Sequence, residues 1–129
     1  MQYLKTIVYV DNVEEVLDFY FQAFGLSASM LTESSDYGEL ATDSVTIGFA
    51  NHPCAQAQFK QGYIRSHPKQ PALGFELMYE CKNVVESYDR AVNAGAEPLM
   101  PPCNKGMHTQ AFVRAIEGTL ISLVSQSAG

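Results

Sequence analysis

Residues 9–25 read YVDNVEEVLDFYFQAFG, and residues 79–95 read YECKNVVESYDRAVNAG. Both segments run from strand-like residues through Asn-Val-x-Glu into an amphipathic stretch, and both stop on glycine. Asn12 with Glu15, and Asn83 with Glu86, have the spacing at which a side-chain cap accepts from the third helical amide and the acid reaches back to the cap. After Asn12, residues Val13, Val16, Leu17, Tyr20, Ala23 and Phe24 follow the 3.6-residue period, as do Val84, Tyr88, Ala91 and Val92 after Asn83. Two helices are therefore predicted, starting within two residues of Asn12 and Asn83. Gly25 and Gly95 are expected to end them, because glycine takes the left-handed C-cap conformation without a Cβ clash.

The flanks repeat as well. Tyr3–Val10 and Leu73–Tyr79 are β-branched and aromatic runs that suit half-buried strands. Shorter extended pieces follow each helix: Ala28–Leu31, Tyr37–Thr42 and Val45–Ala50 in the first half, and Glu97–Met100, Gln110–Ala115 and Thr119–Ser125 in the second. Turn chemistry separates them at Ser34-Ser35-Asp36, Thr42-Asp43-Ser44 and Glu117-Gly118. The chain reads as α+β, two β-α-β-β-β modules over about residues 1–55 and 71–127 of one domain. The Pro-, Gln- and Gly-rich stretch around 51–71, with 56–70 as its centre, is expected to join them, as a lid or as a simple linker.

At 129 residues with 47% hydrophobic and 17% charged residues, the chain has the length and composition of one globular domain. Eight Lys and Arg against 14 Asp and Glu leave a net charge of −6, so no nucleic-acid partner is expected. No apolar run approaches the roughly 18 residues that span a bilayer, and MQYLKTIVYVDNVEE lacks the layout of a secretion signal. The expectation is a cytoplasmic protein without a membrane partner. Cys54, Cys81 and Cys103 are odd in number and lack C-x-x-C spacing, which suits free thiols.

Two such modules, together with LDFY at Leu17–Tyr20 closing on Phe24–Leu26, YGELAT at Tyr37–Thr42, AGAEPLMPP at Ala94–Pro102 and FVRAIEGTLISLV at Phe112–Val124, resemble the vicinal oxygen chelate superfamily, the glyoxalase/bleomycin-resistance/extradiol-dioxygenase fold. The resemblance covers nearly the whole chain. It implies a curved mixed sheet, half from each module, enclosing a cavity, and it implies a homodimer.

It further implies that metal-dependent members carry one ligand on the first and one on the last strand of each module. The first-strand positions here are Lys5 and Glu76, each seven residues before its capping Asn; the last-strand positions are Gly48 and Ser122. Only Glu76 is an ordinary metal ligand, and a catalytic divalent ion wants at least three. His52, His67 and His108 lie in the linker or in turn-rich segments and form no ligand pair by spacing. No metal and no other cofactor is expected.

Strand alternation puts Lys5, Ile7 and Tyr9 on one face, and Glu76 with Met78 on one face of the counterpart strand. The resemblance makes these cavity-lining, with Lys5 and Glu76 as natural ion partners; a water-filled pair without a ligand role is the plain alternative. Tyr9, Phe49, Met78, Phe112, Arg114 and Ser122 complete the candidate ligand-binding set, although aromatic and Met side chains there serve equally as core. Arg114 suits either carboxylate recognition or bracing of the turn before Gly118. Glu39 and Tyr37 read as a cavity-mouth pair or as a solvated edge charge. The expected function is metal-free binding of a neutral or cationic small molecule between the modules. The alternative is a lyase or isomerase with Glu76 as general base.

Overall fold

The computed structural model describes residues 1–126, so the expected module end at 127 lies outside the described residues. The described chain runs β1 (Lys5–Val10), α1 (Val13–Phe24), β2 (Ala28–Leu31), β3 (Tyr37–Leu40), β4 (Thr46–Asn51), α2 (His52–Gln56), β5 (Glu76–Glu80), α3 (Val84–Asn93), β6 (Glu97–Asn104), β7 (His108–Arg114) and β8 (Leu120–Gln126). It forms two compact units. One comprises Met1–Phe21 with Gly25–Arg65; the other takes Gln22–Phe24 and the chain from Ser66 onward.

Both helices start at the predicted caps. The Asn12 side chain accepts from the Glu15 amide at 3.0 Å, and Asn83 from Glu86 at 3.1 Å. Gly25 closes α1 in the left-handed region at φ 72°. The end of α3 differs from expectation: Ala94 caps it in the right-handed conformation, and Gly95 follows at φ 119°.

In the first unit the sheet order is β1-β4-β3-β2, with β1 parallel to β4 and the other pairs antiparallel. Helix α1 covers one face. Its Val13, Val16, Leu17, Phe19, Tyr20 and Ala23 are buried, as are Val8, Val10, Leu40, Ile47 and Phe49 of the sheet. The Tyr20 and Phe49 ring centroids are 5.0 Å apart, and Leu17 Cδ1 fills the space above Gly38. Phe49 is therefore core on the helix-covered face, a correction to its expected place in a ligand site. In-register pairing with Gly38 puts it on that face, opposite Gly48.

The second unit repeats the order as β5-β8-β7-β6, with α3 packed over β6, β7 and β8. The α+β architecture is the expected one, each module contributing a four-stranded mixed sheet with a helix, and neither sheet is closed. Strand β5 starts at Glu76 rather than Leu73 because the Phe75 amide turns back on the Leu73 carbonyl. Strand β6 runs on to Asn104 through Pro98, Pro101 and Pro102, with its pairing interrupted between Pro98 and Met100 and again before Cys103. An edge strand accommodates prolines because one side of it donates to no neighbour.

The stretch after β4 is not structureless. Asn51 caps the short helix α2 by accepting from the Cys54 amide at 2.9 Å, with Pro53 in its first turn.

Candidate functional site

The face of the first sheet away from α1 carries Lys5, Ile7 and Tyr9 from β1, Gly48 and Ala50 from β4, and Tyr37 and Glu39 from β3. Register makes two rows: Tyr9, Ala50 and Tyr37 lie abreast, as do Ile7, Gly48 and Glu39. The small central residues Gly48 and Ala50 form a floor that is itself buried under taller side chains. Tyr37 leans over that floor, and its hydroxyl occupies the space a Cβ on residue 48 would need.

Lys5 does not wait for Glu76. Its Nζ donates to Glu39 Oε2 at 2.5 Å, and the Tyr37 hydroxyl donates to the same oxygen at 2.6 Å. The Lys5 ammonium also lies 5.8 Å from the Tyr37 ring centroid. This corrects two expectations. Glu39 sits on an interior strand, between β4 and β2, and its side chain is 17% exposed, so it is no solvated edge charge. Strand order explains the change of partner, because it brings β3 within side-chain reach of β1 across the glycine in β4. The Lys5 hydrogen bond holds Glu39 below the usual carboxylate range, and Glu39 in turn raises the Lys5 ammonium, so both are charged at neutral pH. Burial raises the Tyr37 phenol, which stays protonated as a donor.

One end of this face is walled by the segment after β4. The Tyr9 ring lies 5.0 Å from Tyr63 and 6.5 Å from Phe59, and Phe59 and Tyr63 are 5.9 Å apart. Buried His52, 3% exposed, ties the segment down: its Nδ1 is 2.6 Å from the Tyr63 hydroxyl, and its Nε2 is 3.4 Å from Asp11 Oδ1. A carboxylate accepts only, so the ring proton belongs on Nε2 and Nδ1 accepts from Tyr63. Burial lowers the His52 pKa and the Arg65 charge lowers it further, while Asp11 opposes them. Tyr63, Phe59 and His52 were not among the sequence-based candidates. Their signal was the aromatic spacing in a polar stretch, which has no period to read.

In the second unit, Glu76, Met78, Ser122 and Phe112 share the face away from α3, with Met78 opposite Ser122 and Ser122 opposite Phe112. Glu76 is exposed and Met78 is 58% exposed. Ser122 is fully buried, and its hydroxyl has no hydrogen-bond partner among the described residues. Arg114 is buried and braces rather than presents a fork: Nε donates to the Gly118 carbonyl at 2.9 Å, Nη1 to Pro68 at 3.0 Å and Nη2 to His67 at 2.9 Å.

The residues at the four positions that the resemblance implies for a metal do not fit one. Lys5 is an ion-paired ammonium, Gly48 has no side chain and Tyr37 fills its place, and Ser122 is a neutral hydroxyl, which leaves Glu76 as one ordinary donor. Among the described residues no three His, Cys, Asp or Glu side chains gather at one point. Cys54, Cys81 and Cys103 are free thiols, and no described helix is long and apolar enough to cross a membrane.

No protein-family model and no curated protein matches the chain. Solved structures do. A glyoxalase-related enzyme from Fulvimarina pelagi superposes with a TM-score of 0.83 at 13% identity, over 98% of this chain and 88% of that one. A glyoxalase/bleomycin resistance protein/dioxygenase family enzyme from Burkholderia phytofirmans PsJN gives 0.76 at 20% identity, over 95% and 97%. A glyoxalase/bleomycin resistance protein/dioxygenase from Nocardioides gives 0.71 at 12% identity, over 100% and 87%. With the paired modules, their strand order and these superpositions together, the chain has the glyoxalase/bleomycin-resistance/dioxygenase fold.

Proposed function

We propose that this chain binds a small organic molecule on the face of its first sheet away from α1, with no metal in the site. The observation that carries the reading is the aromatic wall of Tyr9, Phe59 and Tyr63 on the same sheet face as the Tyr37–Glu39–Lys5 group. Apolar rings with a few fixed polar groups are the composition of a ligand site. The donor set described above supports a metal-free site, since Lys5 and Gly48 replace two of the ligand positions.

Two further parts of the reading follow. We place the protein in the cytoplasm, on its three free thiols. We expect two copies to associate, an expectation supported by Met30 and Leu31, both more than 40% exposed on the edge strand β2. Sedimentation analysis tests the association: a concentration-independent monomer contradicts it.

Saturation-transfer NMR with a library of small aromatic fragments tests the binding reading. Fragments are expected to bind the wild type and to lose about tenfold in affinity with Tyr9→Ala and with Tyr63→Ala, the loss of one good ring contact. A library without a binder, or binders indifferent to both variants, overturns it.

A further inference from the structure

We infer that the ligand is a neutral, flat ring carrying a cyclic amide or equivalent edge, with one N–H donor beside one carbonyl acceptor. The inference rests on the reading of this sheet face given above and names the chemistry that face would take.

The argument starts from the Lys5–Glu39 pair. Both bonds on the Glu39 carboxylate fall on Oε2, which leaves Oε1 as an open acceptor among the described residues. A lysine ammonium has three N–H groups. Glu39 takes one and the Tyr37 oxygen at most another, so at least one remains. Lys5 and Glu39 side chains are 29% and 17% exposed, so neither is sealed from solvent. The pair therefore shows a donor and an acceptor side by side on one face of the sheet.

Charge decides the class. The chain carries −6 overall, but that field is screened beyond about 8 Å in cellular salt, whereas the pair itself sums to zero within hydrogen-bond range. A cationic guest approaching Glu39 meets Lys5, and an anionic guest approaching Lys5 meets Glu39. Each would have to break or oppose an ion pair already made, and such opposition is what gives a site its selectivity. A neutral edge that donates to Oε1 and accepts from Nζ keeps the pair intact and gains two charge-assisted bonds. Tyr37 stands beside the pair, its hydroxyl on Glu39 Oε2 and its ring centroid 5.8 Å from the Lys5 ammonium, so a planar guest held by that edge lies against this residue.

The test is a titration followed by amide chemical shifts with four probes: 2-pyridone, N-methyl-2-pyridone, benzamidinium and benzoate. In the wild type, 2-pyridone is expected to bind about tenfold tighter than its N-methyl analogue, the effect of one lost hydrogen bond to a charged group, and tighter than either ion. Glu39→Gln is expected to move the preference to benzoate by exposing Lys5 as an unpaired cation, and Lys5→Met to move it to benzamidinium. Equal affinity for 2-pyridone and its N-methyl analogue overturns the inference, as does an ion binding tightest in the wild type, or a ranking unchanged in both variants. The first comparison uses the wild type only, so it stands even where a variant fails to fold. If library fragments bind at Tyr9 and Tyr63 but none of the four probes does, the donor–acceptor inference fails and the binding reading stands. If no fragment binds either, both fail.

Discussion

Replacing Arg114 with Met keeps an apolar stem of similar length in the second unit and removes three donors from three main-chain carbonyls. The cost follows from where those carbonyls sit. His67 and Pro68 are exposed, so water takes over their oxygens and each lost bond costs about 1 kcal/mol. Gly118 is buried, and its carbonyl, left without the Nε donor at 2.9 Å, carries the larger penalty of about 2 kcal/mol for an unsatisfied buried group. The total is about 4 kcal/mol, a large part of the 5–15 kcal/mol by which domains of this kind are stable. Arg114→Lys retains a charge but reaches one carbonyl at a time, so about half of the loss is expected to remain. Urea unfolding followed by circular dichroism gives the difference. Limited proteolysis reads the local consequence, because residues 66–68 are held to the β7–β8 turn by Arg114 and by the Ser66 hydroxyl bonded to the Glu117 carbonyl at 2.8 Å. A loss below about 1 kcal/mol for Arg114→Met, with no new cleavage near Ser66–Gln70, would refute the bracing role.

Three other outcomes are expected. Because burial lowers the folded-state His52 pKa, its contribution to stability is full above the unfolded value near 6.5 and declines as pH falls below it; unfolding free energies from pH 7.5 to 5 should therefore slope downward, and His52→Gln should flatten that slope. Gly48→Ala drives a methyl into Tyr37 and disrupts the Tyr37–Glu39 bond at a cost of about 1–3 kcal/mol, which the double variant with Tyr37→Ala should largely recover in thermal melts; additive losses would contradict the contact. Ser122→Ala removes a buried hydroxyl without a partner, so stability should rise by about 1 kcal/mol in urea titrations, and a loss would reveal a bonded group at that oxygen.

The sequence by itself determined what local chemistry controls. The Asn12 and Asn83 caps, the 3.6-residue apolar period and the left-handed Gly25 placed both helices, since those signals act within a few residues of chain. Doubling of the pattern was enough to give the module order, and alternation put Lys5, Ile7 and Tyr9 on one face correctly. Only the tertiary structure decided the partners. Lys5 and Glu39 are 34 residues apart, and they meet because β1 pairs in parallel with β4 while β3 folds back on its other side, a pairing that no local propensity encodes. The same non-local order turned Phe49 into core and Glu39 into an interior charge. The segment from His52 to Tyr63 was opaque for a different reason: its side chains pack in ones and twos against Tyr9 and Asp11, and such contacts leave no period in the sequence. Arg114 was readable as either brace or binder until the chain from Ser66 to Pro68 arrived beside it, because a guanidinium bonds whatever carbonyl or carboxylate the fold brings within reach.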